Sequence, residues 1–157
     1  CGDARCTSVA DRRKGFLENM KETKNRCSIL HEGGFSSEDI LSQLKEKEPD
    51  VAVALDTDVL KNLVKASKDY KTGYPNASLQ IFGAGCSSEV LKELENKNIV
   101  TIAAEDDFSI GYLGIQEAVA AIEGKGAKSN SKHHYIITNS DHMYDDENQK
   151  LLFPCVK

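Results

Sequence analysis

The sequence predicts an α/β fold, an open parallel sheet with helices on both faces, and three observations carry that expectation. Short apolar runs alternate with segments of helical period along the whole chain. One of those runs, Val51-Ala52-Val53-Ala54-Leu55, is apolar at every position, as in a strand buried on both faces. The turns that follow the runs are rich in Gly, Ser and Asp, the residues that open helices. Strict alternation of this kind requires crossover connections, and crossovers produce parallel strands.

The first helix is expected from Ser8, with Asp11 as the acid of its first turn and Val9, Arg13, Phe16, Leu17 and Met20 on one face. Cys27-Ser28-Ile29-Leu30 reads as a short strand that Gly33-Gly34 breaks. Ser36 and Ser37 open a second helix carrying Ile40, Leu41 and Leu44, and Pro49 ends it. After the Val51–Leu55 strand, Val59, Leu60, Leu63 and Val64 mark a third helix. The turn formers Gly73 to Asn76 then lead to a strand at Leu79–Phe82. A turn over Gly83 to Ser88 opens helix four, with Val90, Leu91 and Leu94 inward, and Ile99–Ala104 is the next strand. A long helix is expected from about Phe108 to Glu123, stopped by Gly124, with Gly111, Ile115, Ala118, Val119 and Ile122 inward. His134–Thr138 is the last strand. The tail from Asn139 carries Met143, Tyr144, Leu151, Leu152 and Phe153 and is too apolar to float free. No strand precedes the first helix, although Gly2-Asp3-Ala4 resembles the loop that one would feed.

The 157 residues suit one domain, and 39% hydrophobic against 29% charged residues excludes wholesale disorder. A net charge of -5 without Trp argues against a nucleic-acid surface, which is normally basic and aromatic. No run approaches the ~20 apolar residues of a membrane span. Cys1, Cys6, Cys27, Cys86 and Cys155 are odd in number and lack zinc spacing, so scattered free thiols are expected. His133-His134 has no metal-ligand companion nearby, and neither a metal nor another cofactor is expected. The opening at Cys1 without Met reads as a mature form or an excised piece.

In an open parallel sheet, ligands bind beyond the carboxyl ends of the strands, where helix N-termini converge. Asp56, Gly85, Cys86, Glu105 and Asp106 fall in those turns, and Arg12 falls in the first helix. Carboxylates that accept and a guanidinium that donates suit the vicinal hydroxyls of a sugar or polyol. Gly83 and Gly85 lack the Lys-Ser/Thr of a P-loop. Each acid here has a competing use as a helix cap.

Val9-Ala10-Asp11-Arg12-Arg13-Lys14-Gly15-Phe16 resembles the segment that opens the second lobe of type I periplasmic sugar-binding proteins. Leu79–Ser88 resembles that family's strand with a Gly turn, and Ile99–Gly124 its next strand and long helix. Asn148-Gln149-Lys150-Leu151-Leu152-Phe153-Pro154 is similar to the closing motif of substrate-binding lipoproteins of Gram-positive bacteria. The resemblance implies a flavodoxin-like, Rossmann-like lobe over residues 1–157, the second of two, with the first lobe absent from this chain. It implies no enzyme but an extracytoplasmic, surface-anchored sugar binder serving an ABC permease or a sensor kinase. It places Arg12, Asp56 and Glu105 on the ligand, whereas Gly85 and Cys86 stand where the family usually offers an Asp. An exposed edge where the other lobe would pack would favour self-association.

Two rivals stand beside this reading. Asp56-Thr57-Asp58 after an apolar strand matches a haloacid-dehalogenase-like phosphatase, with Asp106-Asp107 completing a magnesium site and Lys92 or Lys97 the cation. The same binding module also serves as the sensory domain of receptors and regulators.

Overall fold

A computed structural model describes residues 6–21, 27–28, 36–125 and 135–153. Helix α1 spans Thr7–Met20, α2 Ser37–Lys47, β1 Val51–Ala54, α3 Thr57–Gly73 and β2 Gln80–Ala84. Helix α4 spans Ser88–Glu95, β3 Thr101–Glu105, α5 Asp107–Ile122, β4 Tyr135–Thr138 and α6 Asp146–Leu152. The four strands form one sheet in the order β1-β2-β3-β4.

The helix starts follow from side chains that replace the missing backbone partners of a first turn. Ser36 accepts from Asp39 N at 3.1 Å while Asp39 reaches back to the Ser36 backbone, a reciprocal cap that sets α2. Asp56 caps α3, accepting from Asp58 N at 2.9 Å and Val59 N at 3.3 Å. Ser87 caps α4 and Asp106 caps α5. Helix α1 begins one residue before the expected Ser8, behind Cys6, which provides no side-chain cap. Asp11 accordingly lies beyond its first turn.

Strands β1, β2 and β3 are parallel, with Val53 beside Phe82 and Gly83 beside Ile102. The last strand departs from the expected direction. Strand β4 runs antiparallel to β3, with Ala103 beside Ile137 and Glu105 beside Tyr135. An edge strand has only one neighbour to satisfy, and α/β sheets tolerate an antiparallel strand there.

One face of the sheet carries the core. Ala52, Ala54, Ile81, Ile102 and Ala104 are buried against Leu60, Leu63, Leu91 and Leu94 of α3 and α4, with Ile40 and Leu44 of α2 behind them. Met143 and Leu152 close the same cluster, so the tail is docked, as its apolar content requires. The other face is sparsely covered. Val51, Tyr135 and Ile137 are exposed, and Val53 and Phe82 are half-buried. The apolar β1 run is therefore buried on one face only, because the helices of the core cover that face and the other is sparsely covered.

Three further expectations change. Cys27 and Ser28 are not in a strand, and Ile29 and Leu30 lie outside the described residues. Gly83 and Ala84 belong to β2 rather than to the turn after it. Helix α5 buries no residue: Gly111, Ile115, Ala118, Val119 and Ile122, expected inward, are all exposed. Its half-buried stripe is Ser109, Leu113, Glu117 and Ala120. In α1 only Val9 is fully buried, while Arg13, Phe16, Leu17 and Met20 are half-buried. Cys6, Cys27 and Cys86 are free thiols; Cys1, Cys155, His133 and His134 lie outside the described residues.

Glu93 ties α4 to α3 by accepting from Lys68 Nζ and Asn98 Nδ2, both at 2.6 Å. Burial pushes its carboxyl pKa up, but those donors and the lysine charges outweigh burial and hold it below the usual glutamate value. A depressed folded pKa gives stability that is present above the unfolded pKa and lost as pH falls through the folded one. Glu93→Gln is therefore expected to cost about 1 kcal/mol at pH 7, with the gap from the parent narrowing as pH falls below the unfolded glutamate value and closing below the depressed folded one. Urea midpoints of both proteins across that range check this; a gap that persists in acid contradicts it.

Candidate functional site

The carboxyl ends of the three parallel strands lie on one edge, and the six residues expected there gather along it. Arg12, from α1, links two strand tips. Its Nη1 donates to Leu55 O, just past β1, at 3.1 Å, and its Nη2 donates to Glu105 Oε1 at the end of β3. The arginine side chain is 29% exposed and that of Glu105 48%, so the pair borders solvent. Such a pair contributes about 0–1 kcal/mol to stability, so its geometry matters more than its strength. A rigid guanidinium fork suits the task, since it spans two acceptors without flexing.

Asp56 follows Leu55 directly and uses its Oδ1 to cap α3. Asp106 follows Glu105 and caps α5 by accepting from Ser109 N at 2.9 Å. Both acids therefore have the structural role that competes with ligand contact, and both stand at helix N-termini beside the strand tips. Gly85 sits at φ +135, and its N–H donates to Ala103 O at 2.9 Å, tying the tip of β2 to β3. Cys86 is half-buried behind it, packed against the core cluster. Burial, then the charges of Asp107 and Glu105, push its thiol pKa up. Cys86 is accordingly a protonated, weakly nucleophilic wall of the crevice at neutral pH. At the start of α1, Cys6 differs: the Ser8 hydroxyl, at 3.1 Å, and neighbouring backbone groups hold its thiol below the usual value.

Two contributors escaped the sequence reading. Thr57, the first residue of α3, lies against Gly85 and sets how closely β2 and α3 approach. The Leu55 carbonyl is the other, and no side-chain pattern could reveal a backbone acceptor. The phosphatase arrangement is not assembled. Asp56 uses Oδ1 for its cap, Asp58 pairs with Lys61 at 2.7 Å, and Lys97 pairs with Asp141 at 3.1 Å. Among the described residues, no three His, Cys, Asp or Glu side chains converge as a metal site would require.

No family model and no curated protein matches this sequence. Solved structures do match the fold. A carbohydrate-transporter solute-binding protein from Agrobacterium radiobacter, in complex with D-arabinose, superposes with a TM-score of 0.71 at 18% identity. An ABC-transporter solute-binding protein from Agrobacterium vitis with bound D-fucose gives 0.76 at 10% identity. The Caulobacter myo-inositol binding protein, bound to myo-inositol, gives 0.71 at 15% identity. These alignments cover 91%, 90% and 90% of this chain and 50% of each neighbour. The chain thus spans about half the length of the proteins whose fold it shares, and its architecture is that of one lobe of the type I periplasmic binding fold. No helix among the described residues is long and apolar enough to cross a membrane.

Proposed function

We propose that this chain is the second lobe of an extracytoplasmic solute-binding protein that holds a sugar or small polyol for ABC import. On this reading it is a binder and not an enzyme. One observation carries the reading: a single guanidinium joins the tips of β1 and β3 through Leu55 O and Glu105. A ligand hydroxyl entering there accepts from Arg12 while its neighbour donates to Glu105, the paired demand that vicinal hydroxyls make. Asp56 and Asp106 add carboxylates at the rim. Gly85, lacking a side chain, lets a ring approach the backbone, and the neutral Cys86 thiol lies behind it. The folds that this lobe matches are those of proteins solved with D-arabinose, D-fucose and myo-inositol, which supports that ligand class.

Closure of two lobes over a ligand is stabilised only by the contacts each lobe adds, so one lobe alone retains part of the affinity. Titration of this chain with D-arabinose, D-fucose and myo-inositol, followed by backbone NMR, is expected to give a Kd of about 1 mM or weaker. The shifts should centre on Arg12, Glu105 and Cys86. Arg12→Ala should abolish them, and Arg12→Lys should restore part of the response, since an ammonium replaces a fork with a point charge. Micromolar affinity would refute the half-site account. Shifts absent from those residues with all three ligands would overturn the binding reading itself.

A further inference from the structure

Helix α5 presents its apolar stripe outward. Phe108, Tyr112, Ile115, Val119 and Ile122 are exposed by 67%, 56%, 69%, 47% and 87%. Their spacing is four, three, four and three residues, which places all five on one narrow face of the helix and is the seam that packs against another helix. The side turned toward the protein is the less apolar one, with Ser109 and Glu117 beside Leu113 and Ala120. A helix normally buries its apolar face. This one leaves it open, and Gly111 and Ala118 beside the seam leave room for close approach.

The ends of the helix identify the occupant. The N-terminal end is acidic, with Glu105, Asp106 and Asp107, while past Ile122 the chain carries the C-cap Glu123, then Gly124 and the cationic Lys125. Lys125 is held in place by its backbone, since Gly124 takes φ +70 and Lys125 N–H donates to Ala120 O at 2.9 Å. Its side chain is 71% exposed and shares a surface pair with Glu123 at 2.7 Å. A second α5, antiparallel and related by a two-fold near Ile115 and Gln116, sets Lys125 opposite Asp107 at both ends and opposes the helix dipoles. Five side chains at roughly 100 Å² each bury on the order of 1,000 Å² over both copies, near the lower bound for a specific interface.

We infer that α5 is a self-association helix, pairing antiparallel with α5 of a second copy of this chain. The test is sedimentation of the 157-residue chain from about 1 to 100 μM, the range in which an interface of this size should titrate. A dimer of twice 17.2 kDa is expected. Ile115→Glu should remain monomeric throughout while keeping the parent's circular dichroism, because the residue is exposed within one copy. Lys125→Glu should weaken the dimer at least tenfold, and Lys125→Glu combined with Asp107→Lys should recover it, which only an antiparallel partner of the same sequence explains. A parent monomeric at every concentration overturns the inference and assigns the face to a different partner. An Ile115→Glu variant that still dimerises overturns it too, as does a charge swap that fails to restore pairing.

Discussion

Gly85→Ala is expected to lower the stability of the chain by about 2–5 kcal/mol, a large fraction of what a domain of this size possesses. Two independent causes act at this position. The backbone angle of φ +135 lies where a side chain strains the chain whatever the space around it. The space is also absent: a Cβ would lie 3.0 Å from Thr57 Cβ and 3.2 Å from Thr57 Cα, with Thr57 Oγ1 closer still. Thr57→Gly in the same molecule removes the Oγ1 and Cβ contacts but leaves the backbone contact and the angle, so it should restore only part of the loss. Urea midpoints of the single and double variants measure both shares. A Gly85→Ala protein as stable as the parent, within ~0.5 kcal/mol, contradicts the account. Gly85 N–H also joins the β2 tip to Ala103 O, so a distorted turn there moves the crevice beside Arg12.

What could be read from residues alone was local chemistry. Ser36 before an apolar-periodic run, Asp56 at a strand end and Gly124 after an apolar helix each specify one boundary, and the structure has Ser36 and Asp56 as N-caps and Gly124, at φ +70, directly after the C-cap of α5. The gathering of the candidate residues was legible for the same reason, because alternation of strand and helix places the turns after the parallel strands on one edge. Arg12 and Glu105, 93 residues apart, meet there. Direction was not legible. The 3.6-residue period shows that Ile115, Val119 and Ile122 share a face but not which way that face points, and α5 points it outward. Nor does Tyr135-Ile136-Ile137-Thr138 reveal whether its strand runs with or against β3, since a strand's pattern reads the same from either end. Val51 looked buried because its run is uniformly apolar, but composition does not show which face of the sheet lacks a packed layer, and Val51 points to that face.

Leu60→Ala is expected to cost about 2–5 kcal/mol, since Leu60 is fully buried where α3 crosses the sheet. Its environment makes a sharper test than the loss alone. Gly83 of β2 lies beneath it, and a Cβ there would stand 2.7 Å and 2.8 Å from the two terminal carbons of Leu60 and 3.0 Å from Ala54 O. Gly83→Ala by itself must push Leu60 aside and is expected to cost about 1–3 kcal/mol. With Leu60 already shortened, the same methyl enters the space that the leucine left. The double variant should then be more stable than the sum of the two losses implies, by about 1 kcal/mol or more. The mechanism is volume exchange between one strand glycine and one helix leucine, a contact that, with Gly85 against Thr57, brings α3 close to the sheet. Since Asp56 and Thr57 open that helix at the crevice, the same contact also bears on how closely the turn after β1 approaches Gly85. Thermal unfolding of the parent, both single variants and the double variant closes the cycle. Strict additivity would show that Gly83 and Leu60 do not share that space.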